Sequence, residues 1–149
     1  MKRMIRQFMV FVLLAGVVAC GEEKPVQGPD QRSALHINQE AAEKGNADAQ
    51  YTLAMMYEQG RGVEQSSRKA MEWLEKAARQ NHTEAQYLLA RMHSHGMDMV
   101  KAYAWFELAA RAGDRTARQQ MQVLHEQMSE AIVEQAQALA DKWAAEMGD

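Results

Sequence analysis

The sequence predicts an all-α fold, an α/α solenoid of stacked antiparallel helix pairs closed by a C-terminal capping helix. Three observations carry that expectation. No proline occurs from Gln31 to Asp149, and helix formers (Ala, Glu, Gln, Met, Leu) dominate the same stretch, as uninterrupted helices require. Apolar residues fall at helical spacing, with Ala49, Leu53 and Tyr57 four apart on one stripe. The pattern also repeats at a near-constant interval, the mark of a stacked architecture.

The repeat is legible residue by residue. Ala49-Gln50-Tyr51 returns as Ala85-Gln86-Tyr87, and Gly60 as Gly96, both 36 residues on. Ala70-x-x-Trp73-x-x-x-Ala77-Ala78 returns as Ala102-x-x-Trp105-x-x-x-Ala109-Ala110, only 32 residues on. The missing four residues fall in the turn between Gly60 and Ala70, so the second copy has the shorter loop. A half copy, Ala34-x-x-Ile37-x-x-x-Ala41-Ala42-x-x-Gly45, comes first, and Gly113, Ala117 and Met121 continue the register afterwards. The domain over 32–149 thus divides into a half repeat at 32–45, repeats at about 46–81 and 82–113, and a cap at 114–147.

Each element has a local reason. A helix over Asn46 to Gln59 ends at Gly60-Arg61-Gly62, where glycine takes a left-handed conformation at little cost. Ser66 or Ser67 caps the next helix, which runs to about Gln80 with Ala70, Trp73 and Ala77 on its buried side. Thr83-x-x-Gln86 has the form of a capping box for a helix over Glu84 to His95. Small alanines let helices approach closely, while Trp73 and Trp105 are expected to fill the wider gaps. Asp114 to Gln127 continues the pattern, and Met128-Ser129 punctuates it. Ser129 to Glu146 then forms an amphipathic end helix with Ile132, Ala136, Leu139 and Trp143 on one face, as a stack needs at its open end. Seven helices result: one half pair, two full pairs and a terminal pair.

The first nineteen residues read as a leader. Lys2, Arg3 and Arg6 precede an unbroken apolar run from Phe8 to Ala19. That run is short of the roughly 20 residues a spanning helix needs and fits a signal-peptide core. It ends in Val17-Val18-Ala19-Cys20, which resembles the lipobox of bacterial lipoproteins. The resemblance implies cleavage before Cys20, a diacylglyceryl group on its sulfur, and acylation (palmitate) of the new amine. Two or more acyl chains, at roughly 0.8 kcal/mol per buried methylene, make a stable anchor. Gly21 stands where inner-membrane lipoproteins often carry Asp, so the resemblance implies the outer membrane, facing the periplasm. Residues 20–31 form a polar tether spanning on the order of 20 Å. With its only cysteine lipidated, the chain must fold by packing without a disulfide. The whole chain carries a net charge of −3, which becomes −6 once the three leader cations are gone. An acidic domain of that kind argues against nucleic-acid binding.

The repeat residues resemble the Sel-one-like repeat (SLR) family, relatives of the tetratricopeptide repeat. The family pattern is read in Ala49, Leu53, Ala54, Tyr57, Gly60, Gly62-Val63, Lys69-Ala70, Trp73 and Ala77-Ala78. It returns in Lys101-Ala102, Tyr103, Trp105-Phe106, Ala109-Ala110 and Gly113. Ala54 stands at a glycine position, His93 at a tyrosine position, and the second copy lacks Gly-Val after Gly96, which leaves that turn's geometry open. The resemblance implies a non-enzymatic scaffold that binds an unknown protein or peptide in the solenoid groove. By analogy with tetratricopeptide positions, that groove presents Tyr51, Met55 and Gln59, then Tyr87, Arg91 and His95, then Gln119. Tyr, Met and Arg are residue types that carry binding energy at interfaces.

Two other readings are weighed against it. Met92, His93, His95, Met97 and Met99 gather soft thioether and imidazole ligands suited to copper. The counterparts Met56 and Tyr57 are packing residues, however, and His93 and His95, two apart on a helix, point to different sides. His36, His82 and His125 look isolated. Catalysis lacks support: no nucleophile triad pattern, phosphate loop or zinc motif is present, so no cofactor is expected. Glu72, Glu75 and Glu107 read as solvated charges. Cysteine-rich members of the family are associated with β-lactam binding or hydrolysis, but they carry a disulfide in each repeat.

Overall fold

The computed structural model describes residues 31–148. The leader and the lipobox with Cys20 lie outside the described residues, as does the tether except for Gln31, which already belongs to the first helix. Seven helices follow in order: α1 (Gln31–Glu43), α2 (Ala47–Gln59), α3 (Ser67–Ala78), α4 (Thr83–His95), α5 (Met99–Arg111), α6 (Arg115–Gln127) and α7 (Glu130–Gly148). No strand occurs among the described residues. The α2–α3 and α4–α5 hairpins stack through α3 against α4, with α1 on α2 at one end and α6 on α5 toward the other.

One repeat position starts three of the helices. Asn46 Oδ1 accepts from the Ala49 N–H (2.8 Å), His82 Nδ1 from Ala85 (3.2 Å), and Asp114 Oδ1 from Ala117 (3.0 Å). Each satisfies an orphan amide of the first turn, worth about 1 kcal/mol in typical cases. Thr83 and Gln86 therefore do not form the expected capping box. Thr83 is already helical, and the residue before it supplies the acceptor. Just ahead of each cap the chain turns through a left-handed residue: Gly45 (φ 92°), Asn81 (φ 61°) and Gly113 (φ 104°). That turn ends α3 at Ala78, two residues short of the expected Gln80. Ser66, not Ser67, caps α3 through its Oγ.

The four-residue difference between the repeats sits in the inner turn. Seven residues join α2 to α3 and three join α4 to α5. In the longer turn Gly60 and Gly62 take left-handed φ of 67° and 72°; in the shorter one Gly96 is at φ −79° and Met97 takes the left-handed place at 63°.

The core is built from alanine at the crossings and larger groups between them. Ala70, Ala77, Ala85, Ala102 and Ala109 are wholly buried, so backbones approach closely. Trp105 is 1% exposed, as expected. Trp73 is not: it is half-buried, with Lys76 Nζ 3.7 Å above its ring. The difference lies in α7, which packs along α5 and not to a like extent along α3.

The terminal pair departs from expectation. α7 packs against α5 and makes no close hairpin with α6. Composition explains it, since α6 buries only Ala117 and Leu124 and offers little apolar surface. By contrast α5 buries eight of its thirteen residues and needs cover on every side. The rotation of α7 follows. Val133, Ala136, Ala140 and Trp143 face inward, while Ile132 is 40% exposed and Leu139 only half-buried. No described helix is long and apolar enough to cross a membrane.

Candidate functional site

The outward stripes of α2, α4 and α6 carry the expected groove residues. Gln59, Arg91, His95 and Gln119 are exposed; Tyr51, Met55 and Tyr87 are half-buried. The tyrosines are anchored differently. Tyr51 stacks on His82 with ring centroids 4.9 Å apart and planes 20° from parallel. His82 is thus not isolated. Its Nδ1 caps α4, and its Nε2 lies 3.2 Å from Asp48 Oδ1, so one imidazole joins α2 to the start of α4. The same Nδ1 lies 3.4 Å from Glu84 Oε2. Tyr87 lies tilted against Phe106 at 5.7 Å, and the Arg91 guanidinium sits 5.9 Å from the Tyr87 ring. The structure brings Tyr87 and Arg91 together; Tyr51 is held by its neighbour in the next repeat.

The methionine–histidine cluster is dispersed. Met92 and Met99 pack against the core, while Met97 is 84% exposed and His95 is exposed. His93 turns inward, its Nδ1 3.9 Å from Asp98 Oδ2. Burial pushes the His93 imidazole below its ordinary pKa, against the pull of Asp98. Among the described residues no three His, Cys, Asp or Glu side chains gather where an ion could be held.

A second repeated device had only a faint signal in the sequence. Gln50 Nε2 donates to Ala42 O (3.0 Å), Gln86 Nε2 to Ala78 O (3.1 Å), and Arg118 Nη2 to Ala110 O (3.2 Å). Each side chain satisfies a carbonyl at the end of the preceding helix, eight residues back. The recurring Ala-Gln-Tyr triplet carries it: the glutamine, expected at Gln86 to serve a capping box, instead closes the preceding helix.

Two arginines then tie α7 down. Arg111 Nη2 bonds Glu107 and Asp141, both at 2.6 Å, and Arg79 contacts Glu75 (3.0 Å) and Glu146 (3.2 Å). The hydrogen bond to Asp141, joined by that to Glu107, holds the Arg111 pKa above its ordinary value despite burial. Glu107 is therefore no solvated charge: it is half-buried beneath its arginine.

A scan against family models matches the Sel1 repeat at residues 47–82 and 83–114. These are Sel1 repeats. Solved structures agree with the assignment. A protective antigen present in uropathogenic Escherichia coli strains, displaying an SLR fold, is similar with a TM-score of 0.73 and 26% identity over 78% of this chain. A Sel1 repeat protein from Oxalobacter formigenes is similar with a TM-score of 0.63 and 31% identity over 64% of this chain. This chain spans 26% and 41% of their respective lengths. Among the curated proteins none matches it. In Sel1 terms, α2–α3 and α4–α5 are the two repeats, and α7 is the helix that shields the second from water.

Proposed function

We propose that this Sel1-repeat chain is a non-catalytic adaptor that captures a protein or peptide segment along the stripe formed by α2, α4 and α6. One observation carries the reading. At the same place in successive repeats a half-exposed tyrosine, Tyr51 or Tyr87, is followed at one and two turns by residues open to a partner. These are Met55 and Gln59 in the first repeat, and Arg91 and His95 in the second. Aromatic and arginine side chains dominate binding energy where interfaces are well packed. Because Tyr51 is already stacked and Tyr87 already wedged, little further ordering is needed on binding. The lipobox-like run ending at Cys20 supports a lipid anchor, and Gly21 after it supports the outer membrane facing the periplasm, with the tether letting the domain reach its partner.

Capture from a membrane extract tests the stripe. The bait is the intact chain, compared with an Arg91→Glu/Gln59→Lys double variant that leaves the Tyr51–His82 stack in place. The variant is expected to keep the wild-type melting temperature and to lose the captured protein. Identical captured sets from the two baits would sink the reading.

A further inference from the structure

Of the three helices that start on the same repeat position, the middle one is capped by a histidine. Asn46 and Asp114 offer a side-chain oxygen to Ala49 and Ala117, whereas His82 offers Nδ1 to the Ala85 amide at 3.2 Å. That nitrogen also lies 3.4 Å from Glu84 Oε2, while Nε2 lies 3.2 Å from Asp48 Oδ1. The two neighbours of Nδ1 make opposite demands. Accepting from the Ala85 amide needs a bare lone pair, and bonding to a carboxylate needs an N–H. A neutral ring can cap α4 through Nδ1 and donate to Asp48 through Nε2. An imidazolium can bond both carboxylates, but it must give up the cap. The titratable groups that face the ring are Asp48 and Tyr51 from α2 and Glu84 from α4. The imidazole side chain is only 13% exposed, whereas Asp48 and Glu84 are 91% and 71% exposed, so both carboxylates are free to follow the charge of the ring.

We propose that His82 is a proton-operated joint between the two repeats. In its neutral form the ring holds the first turn of α4. On taking up one proton from solvent it donates through Nε2 to Asp48 and through Nδ1 to Glu84, and the Ala85 amide loses its acceptor. The hold of the ring then moves toward α2. An imidazolium stacked on Tyr51 at 4.9 Å adds a cation–π attraction to that contact. The first turn of α4, with one more orphan amide, opens more readily. Tyr87 stands two residues past Ala85, so acid tightens one tyrosine of the stripe and loosens the turn that leads to the other. The first repeat lacks the device, because the amide of Asn46 does not titrate. This joint stands whether or not the stripe binds a partner; an effect of acid on capture rests on the adaptor reading.

Nitrogen NMR of the isotope-labelled full chain tests it, over the range from about pH 8 to about pH 5 in which histidines change charge. At the alkaline end a coupling through the hydrogen bond is expected between the Ala85 amide nitrogen and His82 Nδ1. At the acid end that coupling should be gone, with both ring nitrogens carrying protons. Exchange of the Ala85 amide, corrected for its intrinsic pH dependence, should quicken about fivefold, the weight of one cap. His82→Asn, which installs the cap of the first repeat, should hold the Ala85 resonance and its protection constant across the range. Glu84→Gln, which removes the competing carboxylate, should keep the coupling to lower pH than in the wild type. No coupling at the alkaline end would mean that Nδ1 already donates to Glu84, and the proposal falls. It falls equally if the coupling survives to the acid end, or if the Ala85 resonance moves as far in His82→Asn as in the wild type.

Discussion

Trp143 of α7 stacks on Trp105 of α5 with ring centroids 4.4 Å apart and planes 26° from parallel. That contact turns an end helix into the lid of the second repeat. At the equivalent place one repeat earlier Trp73 lacks such a cover, and its own Lys76 lies over the ring. Trp143→Ala should destabilise the chain by about 3–5 kcal/mol, and more than Trp73→Ala. Thermal unfolding of both variants, with amide exchange along α7, checks this; equal losses would contradict the lid.

The two buried glutamines should not be equivalent. Gln50→Leu breaks a bond to Ala42 O and the bond accepted from Gln80, whose exposed amide keeps, among the described residues, only Lys76 O at 3.3 Å. Gln86→Leu breaks the bond to Ala78 O but also removes an acceptor that had no donor. The expected cost is therefore greater for Gln50→Leu, by about 1 kcal/mol. Paired denaturant titrations give the comparison directly.

Acid should loosen the inner turn of the second repeat through His93. Its folded-state pKa lies below its ordinary value because burial disfavours the imidazolium. The unfolded chain therefore binds the proton more readily. The stabilisation is fully present above about pH 6.5, the unfolded value, and is lost as pH falls toward the folded value. His93→Tyr, which places in the second repeat what Tyr57 provides in the first, should remove that part of the pH dependence. Melting temperatures from pH 8 down to about pH 5 for both chains measure it.

Met97 holds a left-handed conformation (φ 63°) that disfavours side chains with a Cβ. Met97→Gly should stabilise the chain by roughly 0.5–1 kcal/mol, after the greater freedom of glycine in the unfolded chain is subtracted. Asn81→Gly, at φ 61°, should gain less, because asparagine tolerates this region better than methionine does. The order of the two melting shifts is the readout.

Lipid attachment has its own test. Cys20→Ser should abolish palmitate incorporation. Unchanged labelling would refute the lipobox reading.

Much of this protein was legible because stacking hairpins leave a periodic mark. Alanine must recur wherever two backbones cross, so the offsets of 36 and 32 residues located the repeats, and the short second turn with them. Caps and partners were less legible, because different residue types do the same work. Asparagine, histidine and aspartate all cap at one position, and only geometry shows the imidazole of His82 replacing a carboxyl or amide oxygen. The candidate stripe was readable as a helical spacing. The Tyr51–His82 stack that fixes it lies 31 residues apart in the chain and carries no local signal.

Sequence alone thus determined that the chain folds as stacked helix pairs, since periodicity and helix propensity are properties of short stretches. Tertiary structure decided which surfaces those pairs leave open. That choice rested on α7 preferring the apolar back of α5 to the polar face of α6, a competition for buried area between distant segments that no local pattern encodes.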